Sequence, residues 1–427
     1  MSSSDFARLP GFRDFPPEDL ALRSHILEAW RRVSRRYGFL EYDGPPLEPL
    51  ELYVEKSGSE IVGQLYSFTD RGDREVALRP EMTPSLARIL GERSRAMSKP
   101  IRWFSVPQLF RYERQQRGRL REHFQWNVDI VGEAGIAADV EVLAVGIDGL
   151  RELGLTASDF RARVSDRRLL SACLTALGVP EERLPEAFAV VDKAERLTDD
   201  ETARGLRERA GLGAERVGGV FELLAASGTE YVESRLGDRD DVGAELERLG
   251  AYAAALGAMG LADFVEVDLR IVRGLAYYTG IVFELFDRRG ELRAICGGGR
   301  YDRLLELVGG EPLPAVGFGM GDVVLGEFLA ERGLRPPFER SVDYFLVPVT
   351  AEQHHEVLRI AHALRDRGRS VAYALREQAV GKQLKAAGRE GAREVLIVGP
   401  EELERGCVLA RNMSSGSERE VAIGELA

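Results

Sequence analysis

The segment Leu334–Ser341, LRPPFERS, separates two stretches of this chain with different periodicities. A polar run with two consecutive prolines can continue neither a helix nor a sheet ladder, because proline has no amide proton and a fixed φ. Such runs are where few contacts cross between domains. Beyond it strand and helix patterns alternate: Tyr344–Val349 as strand, Glu352–Arg367 as helix, Ser370–Tyr373 as strand, Gln378–Gly388 as helix and Val395–Val398 as strand. Alternation of this kind predicts a small α/β domain over 342–427. Length requires the division as well, since the chain has 427 residues and a single core stops growing at roughly 250–300.

The stretch before the boundary, 1–333, reads as α+β. Pro17 to Tyr37 predicts a helix: Glu18 and Asp19 stand in its first turn, where the dipole favours negative charge, Ile26, Trp30, Val33 and Tyr37 recur at helical spacing, and Gly38 suits its end. Phe39–Pro49 reads as extended. Gln64–Thr69 and Glu75–Leu78 read as strands around the turn sequence Asp70-Arg71-Gly72-Asp73. Ile101–Arg114 and Glu122–Val131 read as strands flanking a polar loop, Gln115–Arg121, with helix near Ala138–Leu153. Residues 168–259, rich in Ala, Leu, Glu and Arg, predict a helical insertion. Phe264–Ile271, Gly280–Phe286 and Ala315–Gly321 return to strand, and an apolar helix follows near Val323–Glu331.

Charge narrows the function classes. The net charge is −12, against a protein that coats nucleic acid nonspecifically, although a local basic face can still bind phosphates. No run approaches the ~20 apolar residues of a membrane span, and MSSSDFARLPGF lacks a secretory pattern. Cys173, Cys296 and Cys407 are distant and odd in number, as expected of reduced thiols in the cytoplasm. Without CxxC, HExxH or a histidine cluster, no metal site is expected from protein ligands.

Three segments combine dense polar chemistry with strand-like context: Leu78-Arg79-Pro80-Glu81-Met82-Thr83-Pro84; Phe110 to Arg114, continuing through Gly118-Arg119 to Gln125 and Asp129; and Arg273 to Gly280, followed by Cys296-Gly297-Gly298-Gly299-Arg300-Tyr301-Asp302. Arg111, Arg119 and Arg273 supply guanidinium forks suited to phosphate or carboxylate. Glu81 and Asp129 can accept from an amine or an imidazole, and the glycines permit close approach. Together these groups suit a zwitterionic amino acid and a polyphosphate. Singly, each has a plainer reading. A lone arginine is ordinarily a solvated charge, one ring of Tyr277-Tyr278 is ordinary core, Gly297–Gly299 equally fits a tight turn, and Glu122-His123 reads as packing or surface. The glycines do not form a dinucleotide fingerprint.

In order and spacing these segments resemble the histidyl-tRNA synthetase family. Gly118-Arg119-Leu120-Arg121-Glu122 through Gln125 resembles its class II motif 2, Arg273–Tyr278 its first histidine signature, and Gly298-Gly299-Arg300-Tyr301-Asp302 its second. Leu9-Pro10-Gly11-Phe12-Arg13-Asp14 and the helix after it resemble the opening strand and motif 1. The resemblance covers nearly the whole chain. It implies a class II antiparallel-sheet catalytic domain with a helical insertion, followed by an α/β anticodon-binding domain. It further implies a cytoplasmic homodimer that takes L-histidine, ATP with Mg2+ and tRNA(His). Arg111 and Arg273 would be catalytic. Glu81, Thr83, Gln125, Asp129, Arg273, Tyr277 and Tyr278 would bind histidine; Arg111, Glu113 and Arg119 would bind ATP; Gln116 would meet the tRNA acceptor end.

Three positions depart from the family pattern. Ala276 stands for its usual Asp and Asp129 for its Glu, while Gly321-Asp322-Val323-Val324 replaces the motif 3 ending Gly-Leu-Glu-Arg. The absent arginine ordinarily helps hold ATP, a task another group such as Arg300 or Arg114 would have to take over. A branch that includes plant organellar members resembles this chain at all three places. In the C-terminal stretch Arg359, Arg365, Arg367, Arg369, Arg376, Lys382, Lys385, Arg389 and Arg393 form a candidate anticodon-stem face, against the plainer reading of a solvated surface. Three other functions fit the pattern less well. A histidine-sensing regulatory subunit of ATP phosphoribosyltransferase resembles the family but typically lacks the C-terminal domain and catalytic arginines. A ligase with a non-tRNA acceptor, and a simple RNA-binding module, are the others.

Overall fold

The computed structural model describes residues 7–54, 62–114, 116–226, 228–273, 277–303, 305–309, 312–338 and 340–426. They form two compact units, Met1–Pro336 and Pro337–Ala427.

In the first unit α1 (Pro17–Arg36) carries Glu18 and Asp19 in its first turn and buries Ile26, Trp30 and Val33. A short strand β1 (Leu40–Glu41) follows. A three-stranded antiparallel sheet, order β2-β4-β3, comprises β2 (Leu47–Pro49), β3 (Tyr66–Thr69) and β4 (Glu75–Leu78). At its β3–β4 turn Asp70 accepts from the amides of Gly72 and Arg74, and Asp73 takes a positive φ. The Arg71-Gly72-Asp73 tripeptide is therefore a hairpin turn closed by the aspartate side chain. Helix α2 (Thr83–Arg93) comes next.

The main sheet has nine strands among the described residues. It uses β1 with β5 (Ile101–Ser105), β6 (Gln108–Phe110), β7 (Glu122–Val131), β8 (Phe160–Asp166), β9 (Val265–Val267), β10 (Ile281–Asp287), β11 (Cys296–Arg300) and β12 (Ala315–Gly321). Their order is β1-β5-β7-β12-β11-β10-β8-β9, with β6 paired to β7. Pairing is antiparallel except at the two ends, β1–β5 and β8–β9. Helix α3 (Ile136–Arg151) covers one face. There Trp126 stacks on Trp30 at 5.8 Å and meets Phe318 edge-on at 5.0 Å. A Cβ at Gly149 would lie 2.3 Å from the Trp126 ring, so only glycine lets α3 come this close to the sheet.

Among the described residues six α-helices separate β8 from β9: α4 (Arg167–Ala176), α5 (Leu184–Val191), α6 (Asp199–Glu208), α7 (Val217–Ala225), α8 (Glu230–Leu236) and α9 (Asp240–Ala258). The last helix of the unit, α10 (Asp322–Glu331), leaves directly from β12.

Two sequence expectations change. The strand expected over 101–114 is interrupted after Ser105, because Pro107 has no amide to donate to a ladder. The strand expected over 264–271 shortens to Val265–Val267, because the Asp268 side chain accepts from the Arg270 amide at 3.0 Å and pairs with Arg163 and Arg270. That side-chain bond offers the backbone a turn in place of a ladder.

The second unit holds β13 (Val342–Pro348), α11 (His354–Asp366), β14 (Val371–Tyr373), α12 (Val380–Arg389), β15 (Ala392–Val398), β16 (Cys407–Asn412) and β17 (Glu418–Ala422). The sheet order is β14-β13-β15-β16-β17. The first three strands are parallel, and β16–β17 is an antiparallel hairpin that the alternation did not suggest. Its turn is built by Asn412, which accepts from the amides of Ser414 and Ser415, and by Gly416 at φ 72.

Candidate active site

The face of the main sheet opposite α3 carries a strip from which side chains are missing. In register, Asp129 of β7 lies beside Gly317 of β12, which lies beside Gly299 of β11. Asn127 lies beside Gly319, which lies beside Gly297, which lies beside Glu284 of β10. Side chains on a strand alternate between faces, so these residues share one surface. The strip must be glycine because other side chains lie flat across it. An added Cβ would come 1.4 Å from the Arg273 guanidinium at Gly297, 2.9 Å from the Tyr278 ring at Gly299, 2.3 Å from the Asp129 carboxylate at Gly317 and 2.9 Å from Gln125 at Gly319. The glycines form the floor of the site, and the polar groups of three distant segments form its walls.

Two cavities open over this floor. The inner one, about 90 Å³, is walled by Glu81, Thr83, Asn127, Asp129, Tyr277, Tyr278 and Tyr301. The outer one, about 680 Å³, is walled by Glu113, Arg119, Leu120, His123, Glu284, Phe286, Val323 and Val324, among others. Arg111, Gln125, Arg273, Gly297 and Gly319 belong to both, so the cavities meet where the two arginines stand. All the residues expected to bind histidine therefore line the inner cavity, and Arg111, Glu113 and Arg119 line the outer. Gln116 lines a neighbouring cavity of about 210 Å³ with Arg117, Gly118, Arg293 and Val324. Ala276 lies outside the described residues.

The inner cavity is arranged around one acid. Asp129 is 6% exposed and accepts a hydrogen bond from the Tyr301 hydroxyl. Burial pushes its carboxyl up to about 7, a rise that the Tyr301 bond offsets only in part. Tyr277, Tyr278 and Tyr301 pack together, with ring centroids 4.9 to 6.4 Å apart. Burial is also the leading cause of the raised pKa of Tyr278 and Tyr277, so both keep their hydroxyl protons as donors. At the junction Arg111 donates to the Pro80 carbonyl at 2.9 Å. Arg273 donates to Glu284 at 2.8 Å, and its guanidinium carbon lies 5.7 Å from the Tyr278 ring centroid. Burial works to discharge Arg273; with the tyrosines neutral, the Glu284 carboxylate paired to it is the charge that keeps it protonated, and its pKa stays above the ordinary value. Arg273 has φ 59, a left-handed conformation that aims its side chain across Gly297.

The outer cavity is cationic. Arg119 pairs with Glu113 at 2.6 Å. His123 is pushed down to about 3, first by burial and then by Arg111 and Arg13, so it presents a neutral ring. Arg13 is held by Glu122 at 2.6 Å and Asp322 at 2.9 Å, tying the start of the chain to motif 2 and to the first residue of α10.

Arg300 does not take the place of the missing motif 3 arginine. It is 1% exposed and is consumed by Asp139 at 2.6 Å, by Asp302 and by the carbonyls of Glu133 and Gly135. Arg114 is exposed and lines neither cavity. Sequence reasoning placed Tyr301 in the second histidine signature without an individual role, took His123 for packing or surface, and assigned nothing to Glu284, Arg196 or Arg293. Period-2 alternation along β10 and β11 could have placed Glu284 opposite Gly297; nothing in the sequence brings Arg196 of the insertion to this cavity.

In the second unit, Lys382, Lys385 and Arg389 lie three and four residues apart on α12, on one exposed face. Arg359 and Arg393 are paired with Glu356 and Asp343, while Arg365 and Arg367 donate to the carbonyls of Val371 and Glu425. The candidate face thus narrows to α12, Arg369 and Arg376.

Comparison with known proteins bears on the whole chain. Residues 11–321 match the family model of histidyl-tRNA synthetase, and residues 343–427 that of an anticodon binding domain. A histidine--tRNA ligase of Opitutus terrae is 45% identical over 428 residues, covering 97% of this chain and 96% of that protein. A chloroplastic/mitochondrial histidine--tRNA ligase of Arabidopsis thaliana is 41% identical over 416 residues, covering 97% and 85%. The crystal structure of histidyl-tRNA synthetase from Nostoc sp. PCC 7120 superposes with a TM-score of 0.80 at 24% identity, over 99% of this chain and 98% of that one, a likeness of fold.

Proposed function

Because this chain belongs to the histidyl-tRNA synthetase family, we propose that its inner cavity holds histidine, its outer cavity holds ATP, and Arg111 and Arg273 act where the two meet. The overall reaction is that of a histidine--tRNA ligase: ATP activates L-histidine to histidyl-adenylate, and the histidine passes to tRNA(His). The observation that supports the division of labour is the connection itself. Five residues are common to both cavities, and the two that carry charge are arginines.

In the first step a carboxylate oxygen of histidine attacks the α-phosphorus of ATP. The bond from that phosphorus to the bridging oxygen breaks, and pyrophosphate leaves with the electron pair. The carboxylate is already ionised at neutral pH, so no general base is needed. Alignment and charge neutralisation must supply the acceleration. Arg111, fixed by the Pro80 carbonyl, bridges the carboxylate and the α-phosphate. Arg273, kept charged beside Glu284, neutralises the α-phosphate from the other side. Glu81 and Thr83 receive the α-amino group. Asp129 accepts from the imidazole, with Tyr277, Tyr278 and Gln125 around the ring. Arg119, steadied by Glu113, meets the nucleotide. Magnesium would enter with ATP and neutralise phosphate charge; the carboxylates of the outer cavity, Glu113 and Glu284, are each engaged by an arginine. In the second step the terminal ribose hydroxyl of tRNA attacks the adenylate carbonyl and AMP leaves. Gln116 meets the acceptor end and the α12 face meets the anticodon stem.

We infer a homodimer and a cytoplasmic location from the family and from three buried, unbridged cysteines. Among the described residues no helix is long and apolar enough to cross a membrane. Light scattering tests the dimer: a species of only 47 kDa at micromolar concentration would refute it. The reaction is tested by histidine-dependent ATP–pyrophosphate exchange beside charging of tRNA(His). Exchange with histidine alone among the amino acids, together with charging, is expected. Exchange without charging would indicate another acceptor. Histidine binding without exchange would indicate a sensor.

A further inference from the structure

The loss of the motif 3 arginine leaves Val324 facing the outer cavity at the start of α10. The wall across from it is not short of cations. Arg293, on the connection between β10 and β11, lines both the outer cavity and the smaller one that also contains Val324. Arg196 reaches the outer cavity from the short turn Ala194–Arg196, between α5 and α6 of the insertion. Neither has a carboxylate partner among the described residues. Arg293 instead donates to the neutral amide oxygen of Gln116. Its ordinary pKa is lowered by burial and then by Arg119 and Arg196, and Glu113 opposes them. Arg119, Arg196 and Arg293 thus crowd one side of the cavity, whose two carboxylates, Glu113 and Glu284, are already engaged by Arg119 and Arg273. Like charges held together without counter-charge are unfavourable until an anion arrives.

We propose that Arg293 and Arg196 form the clamp for the β- and γ-phosphates of ATP, in place of the arginine absent from motif 3. The placement follows from the junction. Arg111 and Arg273, which belong to both cavities, mark where the α-phosphorus must sit to be reached by a carboxylate from the inner cavity. Arg119, Arg196 and Arg293 belong only to the outer side, where the leaving pyrophosphate projects. The neutral His123 ring, Leu120, Val323 and Val324 supply the apolar wall that suits the base. Arg196 also gives the insertion a part in the first half-reaction: its α5–α6 turn helps close the phosphate end. The proposal rests on reading the outer cavity as the ATP site.

The test uses the full chain with Arg293→Gln, Arg196→Gln, the double variant and Arg293→Lys. It measures affinities for ATP, AMP, pyrophosphate and histidine, together with exchange and single-turnover transfer of histidine to tRNA. Each Gln substitution is expected to weaken ATP and pyrophosphate by about tenfold or more, the loss from removing one charge-assisted hydrogen bond. AMP and histidine affinities should be unchanged, KM for ATP should move more than kcat, and lysine should restore part of the loss. Unchanged histidine affinity also shows that the variants are folded. An equal loss of AMP and ATP affinity would place Arg293 against the base and overturn the proposal. Normal ATP affinity with slowed transfer to tRNA would assign the pair to the acceptor end and overturn it as well. If the unsubstituted chain showed no histidine-dependent exchange, the reading of the site would itself fail, a result distinct from any variant effect.

Discussion

The inner and outer cavities share a wall but are built by different means. The inner cavity is set by sheet register: β12 pairs Gly317 with Asp129 and Gly319 with Asn127, which lets the Asp129 and Gln125 side chains lie over the two glycines. A slip of one residue would turn each of these groups to the other face. Its acid is buried and bonded, and its tyrosines keep their protons. The outer cavity is assembled from a motif 2 loop, a strand connection, the start of α10 and a turn of the insertion. Its charges are unbalanced: Arg111, Arg119, Arg196, Arg273 and Arg293 line it against Glu113 and Glu284. A side chain is thus recognised by a preformed polar cage, whereas a polyphosphate is met by an excess of positive charge that its own charge completes. Preorganisation of the first kind gives discrimination, and charge excess of the second gives affinity for anything sufficiently anionic.

The largest expected effect lies at the junction. Arg273→Ala should reduce histidine-dependent exchange by about 10³-fold or more, since a preorganised cation at developing charge is among the strongest catalytic terms. The fold should survive, because Glu284, its partner, is 23% exposed and can be hydrated. Histidine should still bind in the inner cavity. Near-normal exchange would remove Arg273 from the junction and break the division between the two cavities.

The next effect separates the cavities by pH. Asp129→Asn keeps an acceptor for Tyr301 but removes the charge. It should lower kcat/KM for histidine by about 10²-fold, as for a lost hydrogen bond to a charged group, and leave ATP affinity unaltered. Its effect on stability has the opposite sign. The folded pKa of Asp129 is raised to about 7, above an ordinary value of 3.8. The contribution of this group to stability is therefore fully present below pH 3.8 and is lost as pH rises through 7. Relative to the unsubstituted chain, the Asn variant should gain thermal stability between pH 5 and pH 8. An unchanged difference in Tm across that range would mean that Asp129 is not buried as an acid.

The same contrast decides what could be read from the sequence. Floor and cage were legible because their residues sit in contiguous motifs: Gly297–Gly299 beside Tyr301, and Gln125 with Asp129 in one strand. Period-2 alternation then fixes which face each takes. The outer wall was legible only in part. Arg119 and Glu113 lie in motif 2, but Arg196 lies in the insertion and Arg293 in a strand connection, and no local pattern says that they meet. Arg300 stood open as a substitute for the missing arginine because a sequence does not show that α3 places Asp139 against it. The strand expected to run to Ile271 failed for a similar reason: Asp268 turns the chain through its own side chain. The β16–β17 hairpin, by contrast, had a usable signal in Asn412, Ser414, Ser415 and Gly416, all turn formers.

The smallest effect tests whether the outer cavity is held by anything like the register that holds the inner one. Its motif 2 loop is fastened to α10 by Glu327, which accepts from the Gly118 amide at 3.1 Å and pairs with Arg117 at 3.3 Å. Glu331 adds a second partner for Arg117. Gly118 takes φ 72 there, with Val324 so close that a Cβ would stand 3.0 Å from it. The Arg117 side chain is 62% exposed, so its ion pairs are screened and weak. Glu327→Gln preserves an acceptor for the Gly118 amide and removes only the charge. Exchange should stay within about twofold, and transfer to tRNA, the step in which Gln116 of this loop takes part, should fall by no more than about fivefold, the scale of an exposed pair. A much larger loss confined to transfer would show that α10 presets the loop for the acceptor end. The phosphate side of the site would then be as preorganised as the histidine side.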